Sequence, residues 1–227
     1  MAILHGDDES LAPRARALAR LAVTLTARPW ALTQEAVDDV RRQGLDEGQI
    51  EAAIGVISMF NYFTRVADAT GIDFDYPTAL PAFEPDLSQV TAPRPDRPVA
   101  SSEPAGDRRR PQPGGLRSSW DSWRAYVLEA DQPLSQRERR LLAAAAAEET
   151  ADWAGAEALN GAGSTTDSDE QLIGFARKLS RQPWRMGPAD LDCLRSLGYS
   201  EPAVLHAISV VAHQNADSRL TIGLAAT

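Results

Sequence analysis

Few residues in this chain are equipped for redox or nucleophilic work. The only cysteine is Cys193. It stands beside Asp190 and Asp192, which oppose thiolate formation, and it has no second thiol to resolve an oxidised sulfur, so it reads as a passive thiol. His206 and His213 lie seven residues apart, with Asp217 four further on. On one helix, seven residues is ~10 Å of rise, too far for two ligands of one ion, so neither a metal nor another cofactor is expected. His213 and Asp217 have the spacing of an ordinary i, i+4 pair, and a solvated or core-edge histidine is expected.

Two other groups are candidates. Glu148, Glu149, Asp152 and Glu157 gather around Trp153, where they suit acid–base chemistry or simply a solvated helix face. Asn61 and Arg65, and again Asn215 and Arg219, repeat an Asn-x-x-x-Arg spacing. Each asparagine continues an apolar stripe (Ile50, Ile54 and Ile57; Val204, Ile208 and Val211), so each points inward, where a buried amide must find partners. Either it bonds a neighbouring helix while its arginine ties down a carboxylate, or it lines a pocket. The candidate pocket comprises Glu149, Asp152, Trp153, His213, Asn215, Arg219, Asn61 and Arg65.

The elements that position these residues are written twice. Leu18 to Arg65 returns as Leu172 to Arg219 at a constant offset of 154 residues, without a gap. Pro29-Trp30, Gly44, Asn61 and Arg65 meet Pro183-Trp184, Gly198, Asn215 and Arg219. Such register over such a length marks an internal duplication. The first copy reads as helices over 11–27, 34–43 and 47–70, stopped in turn by Pro29, Gly44 and Gly71. The second reads as helices near 170–181, 188–196 and 201–224. Between them, 119–129 is a short helix anchored by Trp120 and Trp123, and 136–159 reads as one long alanine-rich helix. No period-two alternation appears, so the fold class is all-α. Three units follow: residues 1–76 as an N-terminal half-repeat of three helices, 77–115 as a proline-rich linker with little to bury, and 116–227 as the larger domain.

A net charge of −9 and a pI near 4.9 exclude a nucleic-acid partner, since phosphate binding needs a basic face. No membrane partner is expected, because the apolar runs are too short to span a bilayer. Residues 1–10 lack the apolar core of a signal peptide, and the cysteine usage fits a cytoplasmic location.

The run Phe60-Asn61-Tyr62-Phe63-Thr64-Arg65-Val66-Ala67-Asp68, after a Gly44-Leu45-Asp46-Glu47 helix start, resembles the C-terminal half of the alkylhydroperoxidase-D-like superfamily. That superfamily includes the carboxymuconolactone decarboxylases and peroxidase-related proteins. The run Gly71 to Pro77 looks like the end of a peroxidase-related chain, and Leu134 to Ala143 looks like the helix preceding the family's redox motif. The resemblance implies a helical bundle, an oligomer of this chain or one with a related subunit, and a Cys-x-x-Cys-x-x-x-His motif assisted by an upstream glutamate. Here that motif is vacant. With Trp153 in its aromatic place, Ala151 and Ala154 take the thiol positions and Ala158 the histidine. With Leu134 setting the register, Asp152 and Gly155 take the thiol positions; across the two registers the assisting glutamate falls on Arg139 or Arg140. Three functions are therefore expected in descending order: a catalytically degenerate partner or structural subunit; a thiol-independent, decarboxylase-like lyase or small-molecule binder; and an antioxidant hydroperoxidase.

Overall fold

Helix boundaries follow from local capping. Thr33, Asp46, Ser135, Thr166 and Ser200 each accept a backbone N–H of the first turn, satisfying donors that have no intrahelical partner. At Asp46, Ser135 and Thr166 the third residue on returns the bond and completes a capping box. The computed structural model describes residues 8–72, 94–97, 115–160 and 165–227. These form α1 (Pro13–Ala27), α2 (Gln34–Arg42), α3 (Glu47–Thr70), α4 (Gly115–Glu129), α5 (Gln136–Glu149), α6 (Trp153–Leu159), α7 (Asp167–Arg181), α8 (Pro188–Ser196) and α9 (Glu201–Ala225). Short 3-10 turns, Pro29–Ala31 and Pro183–Arg185, follow α1 and α7. The protein is all-helical, with no strand among the described residues, and none of these helices is long and apolar enough to cross a membrane. The starts of α1, its 3-10 turn, α2 and α3 each recur 154 residues later in α7, its turn, α8 and α9.

One expectation needs correction. Residues 136–159 are not one helix: α5 ends at Glu149, and Ala151 turns the chain with a left-handed φ of 56°. Alanine propensity would carry the helix through. Local polar groups stop it, because Thr150 Oγ1 donates to Ala147 O and Asp152 Oδ1 caps α6 by accepting from Gly155 N. The expected linker lies largely outside the described residues. Residues 94–97 are neither helix nor strand, and Arg94 donates to the Glu148 carbonyl at the end of α5.

Two apolar clusters form the interior. One joins α5, α7, α8 and α9 around Leu142, Leu172, Leu179, Ile208 and Val211. The other joins α1, α2 and α3 around Leu21, Leu25, Val37, Ile50 and Ile54, and it is completed by Trp120 of α4 and Ala216, Leu220 and Leu224 of α9. The first half therefore has no core of its own. Among the described residues, the two long helices α3 and α9 share the most extensive contact. Gly223 permits a close approach of the two, since a Cβ there would lie 2.5 Å from Ile54 Cγ2.

Candidate functional site

Where the two halves meet, the ends of α1 and α7 face the middles of α3 and α9 across a cavity of about 260 Å³. Thr26, Trp30, Asn61, Arg65 and Asp68 line it from the first half, and Ser180, Arg181, Trp184 and Arg219 from the second. Glu149 at the end of α5 and Arg94 complete the wall.

Its organising feature is a reciprocal bond pattern. Arg65 Nη2 crosses to donate to Ser180 O at 2.8 Å, and Arg219 Nη2 crosses the other way to Thr26 O at 2.8 Å. Both carbonyls belong to the last turn of a helix, where they lack intrahelical donors and carry the negative end of the helix dipole. Each Nη1 also holds its own asparagine: Arg65 donates to Asn61 O and Oδ1, and Arg219 to Asn215 O and Oδ1. The asparagine amides then donate within their own halves, Asn61 to Thr26 Oγ1 at 3.0 Å and Asn215 to Ser180 Oγ at 2.8 Å. The expected carboxylate partner for these arginines is replaced by helix-terminal carbonyls. Among the described residues neither guanidinium forms an ion pair, and the Nε of each has no partner.

Burying two unpaired guanidiniums is costly, and the electrostatics record it. Burial lowers Arg65 to about 10, with Asp68 offsetting part of the fall. Arg219 is lowered further, first by burial and then by the charge of Arg65. Burial raises Glu149, against the pull of Arg94, Arg181 and Arg177. Arg181 Nε lies 3.4 Å from Glu149 Oε2.

Of the residues singled out from sequence, Asn61, Arg65, Arg219 and Glu149 line the cavity, and Asn215 lies buried directly behind Arg219. The rest of the candidate pocket is not part of it. Asp152 is engaged as the α6 cap and accepts from Ser218 Oγ at 2.9 Å. Trp153 faces Arg94, whose guanidinium carbon lies 4.9 Å from its ring. His213 is fully buried, not solvated or at the core edge, because Trp120 and Trp123 of α4 close over it at 5.9 and 4.5 Å. Asp217 pairs elsewhere, accepting from Trp120 Nε1 at 3.0 Å. Around the vacant motif, Ala151 makes the helix break, Ala154 is half-buried and Ala158 is exposed. Cys193 is exposed and donates to Gln171 Oε1. Among the described residues no group of three or more His, Cys, Asp or Glu is placed to hold a metal ion.

The sequence reading missed Thr26, Ser180, Trp30 and Trp184 as cavity residues. A signal was there: both pairs coincide at the 154-residue offset, but proline–tryptophan served only as a landmark of the repeat, and a hydroxyl near a helix end has no distinctive pattern. No protein-family model matches the chain, and no match is found among curated proteins or solved structures.

Proposed function

We propose that this chain is a catalytically degenerate alkylhydroperoxidase-D-like protein, built on a duplicated scaffold half, that binds a small molecule in the cavity between its halves. The observation that carries the reading is a concave site in which Asn61, Arg65 and Arg219 are buried and held by hydrogen bonds to the surrounding helices. Preorganised polar walls inside a small cavity suit ligand recognition. Hydroperoxide reduction is a poor fit, because the lone thiol is on the surface, away from the cavity. Screening small molecules by NMR on protein carrying 5-fluorotryptophan tests the reading. Ligands should shift the resonances of Trp30 and Trp184 and leave Trp120, packed against His213, in place. A screen in which no compound moves Trp30 or Trp184 would sink it.

A second reading, a partner or structural subunit, is favoured by the outward face of α3. Val56 and Phe60 are 56% and 62% exposed there, whereas Val210 and Gln214, their counterparts in α9, are buried. A largely apolar groove of about 750 Å³ runs along this face, bounded by α3, α4 and α9. A second copy of this chain meeting the first through α3 would cover it symmetrically. Sedimentation should then give a dimer that Phe60→Glu converts to a folded monomer. A monomeric wild type at micromolar concentration would remove this reading.

A further inference from the structure

Four arginines and two carboxylates line the cavity, a positive excess inside a chain of net charge −9. Its innermost cations are the least satisfied. Arg65 and Arg219 are 4% and 3% exposed, and their bonds run only to neutral oxygens. Helix-terminal carbonyls supply partial negative charge to each, which is less than the full charge of a carboxylate. Of the two carboxylates, Asp68 acts on Arg65 through its charge without a direct ion pair, and Glu149 already serves Arg181 and lies at the far end of α5. Trp30 and Trp184, equivalent at the 154-residue offset, add aromatic surface beside this charge. A concave positive site with aromatic walls is complementary to a compact anion with an apolar body.

We propose that the cavity binds a small organic carboxylate, its charge set against Arg65 and Arg219 and its apolar body against Trp30 and Trp184. This names the ligand class for the binding function proposed above and rests on that reading. The size of the cavity favours a body of about one ring, since ligand pockets for larger molecules begin near 300 Å³. Bound carboxylate completes the pairing that the fold leaves open, so it should also stabilise the folded chain by mass action. Glu149 opposes it, as a like charge in the same wall.

The test is titration of the fluorotryptophan-labelled protein with benzoate, benzamide and inorganic phosphate, the resonances being assigned with Trp30→Phe and Trp184→Phe. Benzoate should shift Trp30 and Trp184 saturably, and benzamide, the same shape without charge, should bind roughly tenfold or more weakly, the usual cost of a lost charge-assisted bond. Phosphate should compete poorly, having no apolar body. Arg219→Met should weaken benzoate by roughly tenfold or more, and Glu149→Gln should tighten it severalfold. Arg65→Met serves the same purpose should the Arg219 variant not fold, and Glu149→Gln leaves both arginines in place. Benzamide binding as tightly as benzoate, or benzoate affinity surviving both arginine substitutions, would overturn the carboxylate assignment while leaving a ligand cavity standing. Phosphate outcompeting benzoate would overturn it in favour of an inorganic-anion site. Absence of any shift with all three probes would overturn it too, and if wider screening also fails, the binding function falls with it.

Discussion

The contact between Ile54 and Gly223 should show up as strong non-additivity. Ile54 is fully buried, and its Cγ2 occupies the space that a side chain at Gly223 would need. Ile54→Ala removes three buried carbons, a transfer loss of about 2.4 kcal/mol, which the cavity left behind raises to about 3–4 kcal/mol. Gly223→Ala forces a Cβ to 2.5 Å from Ile54 Cγ2 and 3.4 Å from Leu25 Cδ2. Overpacking costs about 1–3 kcal/mol, and the gain of about 1 kcal/mol in helix propensity leaves a net loss of about 1 kcal/mol. In the double variant the new methyl occupies part of the hole and the propensity gain remains. Its total cost should therefore be about 2 kcal/mol, well below the sum of the single losses. Equilibrium urea denaturation followed by far-ultraviolet circular dichroism and by tryptophan fluorescence measures all four proteins. Both probes should report one transition, since α1–α3 complete their core with α9. Single losses that add to within about 0.5 kcal/mol would show that the two residues do not touch and that the α3–α9 crossing is wrong.

Ala151→Gly should stabilise by about 0.5–1 kcal/mol, because relief at a left-handed φ outweighs the greater unfolded-state freedom of glycine; a lower thermal midpoint would contradict the helix break. Trp120→Phe should cost about 2 kcal/mol in urea midpoints, since it removes the indole N–H bonded to the buried Asp217 carboxylate. Asp169 is held well below the usual carboxylate range, first by its paired bonds from Arg137 and then by the Thr166 N–H. Its contribution is full above the unfolded value near 4 and is lost progressively as pH falls toward the depressed folded value, so Asp169→Asn should be destabilising at pH 7 and steadily less so as pH falls below about 4. Hydroperoxide turnover by the purified protein should not exceed background, and Cys193→Ser should leave that rate unchanged.

Helices were legible where side-chain period and caps agree. Pro29, Gly44 and Gly71 mark the ends of the first three helices because proline cannot continue a helix and glycine alone takes the left-handed turn cheaply. The break at Ala151 was not legible, since five alanines argue for continuity, and the stop rests on short polar side chains, Thr150 and Asp152, whose local bonds are reinforced by the tertiary bond from Ser218 to Asp152. Asn61 and Asn215 could be placed inward from their stripes, and they are buried. What their arginines would meet could not be read, because both acceptors are backbone carbonyls on the opposite half, and a carbonyl leaves no trace in a sequence. The misassigned His213 failed for a related reason: α9 is buried on nearly every side, so helical period alone could not separate the face toward the cavity from the face under α4.

The reciprocal arginine bonds also fix an order of events during folding. Arg219 reaches Thr26 across 193 residues of chain, and Arg65 reaches Ser180 across 115. Contacts of such sequence separation form late, after the entropy of closing the intervening chain has been lost. During synthesis α1, α2 and α3 emerge with an incomplete apolar face and with Arg65 lacking its carbonyl, and both wait for α7 and α9. Helices α1–α3 are thus exposed to misassociation until α7 and α9 have been synthesised, and their native state is reached only when the two copies of the repeat meet.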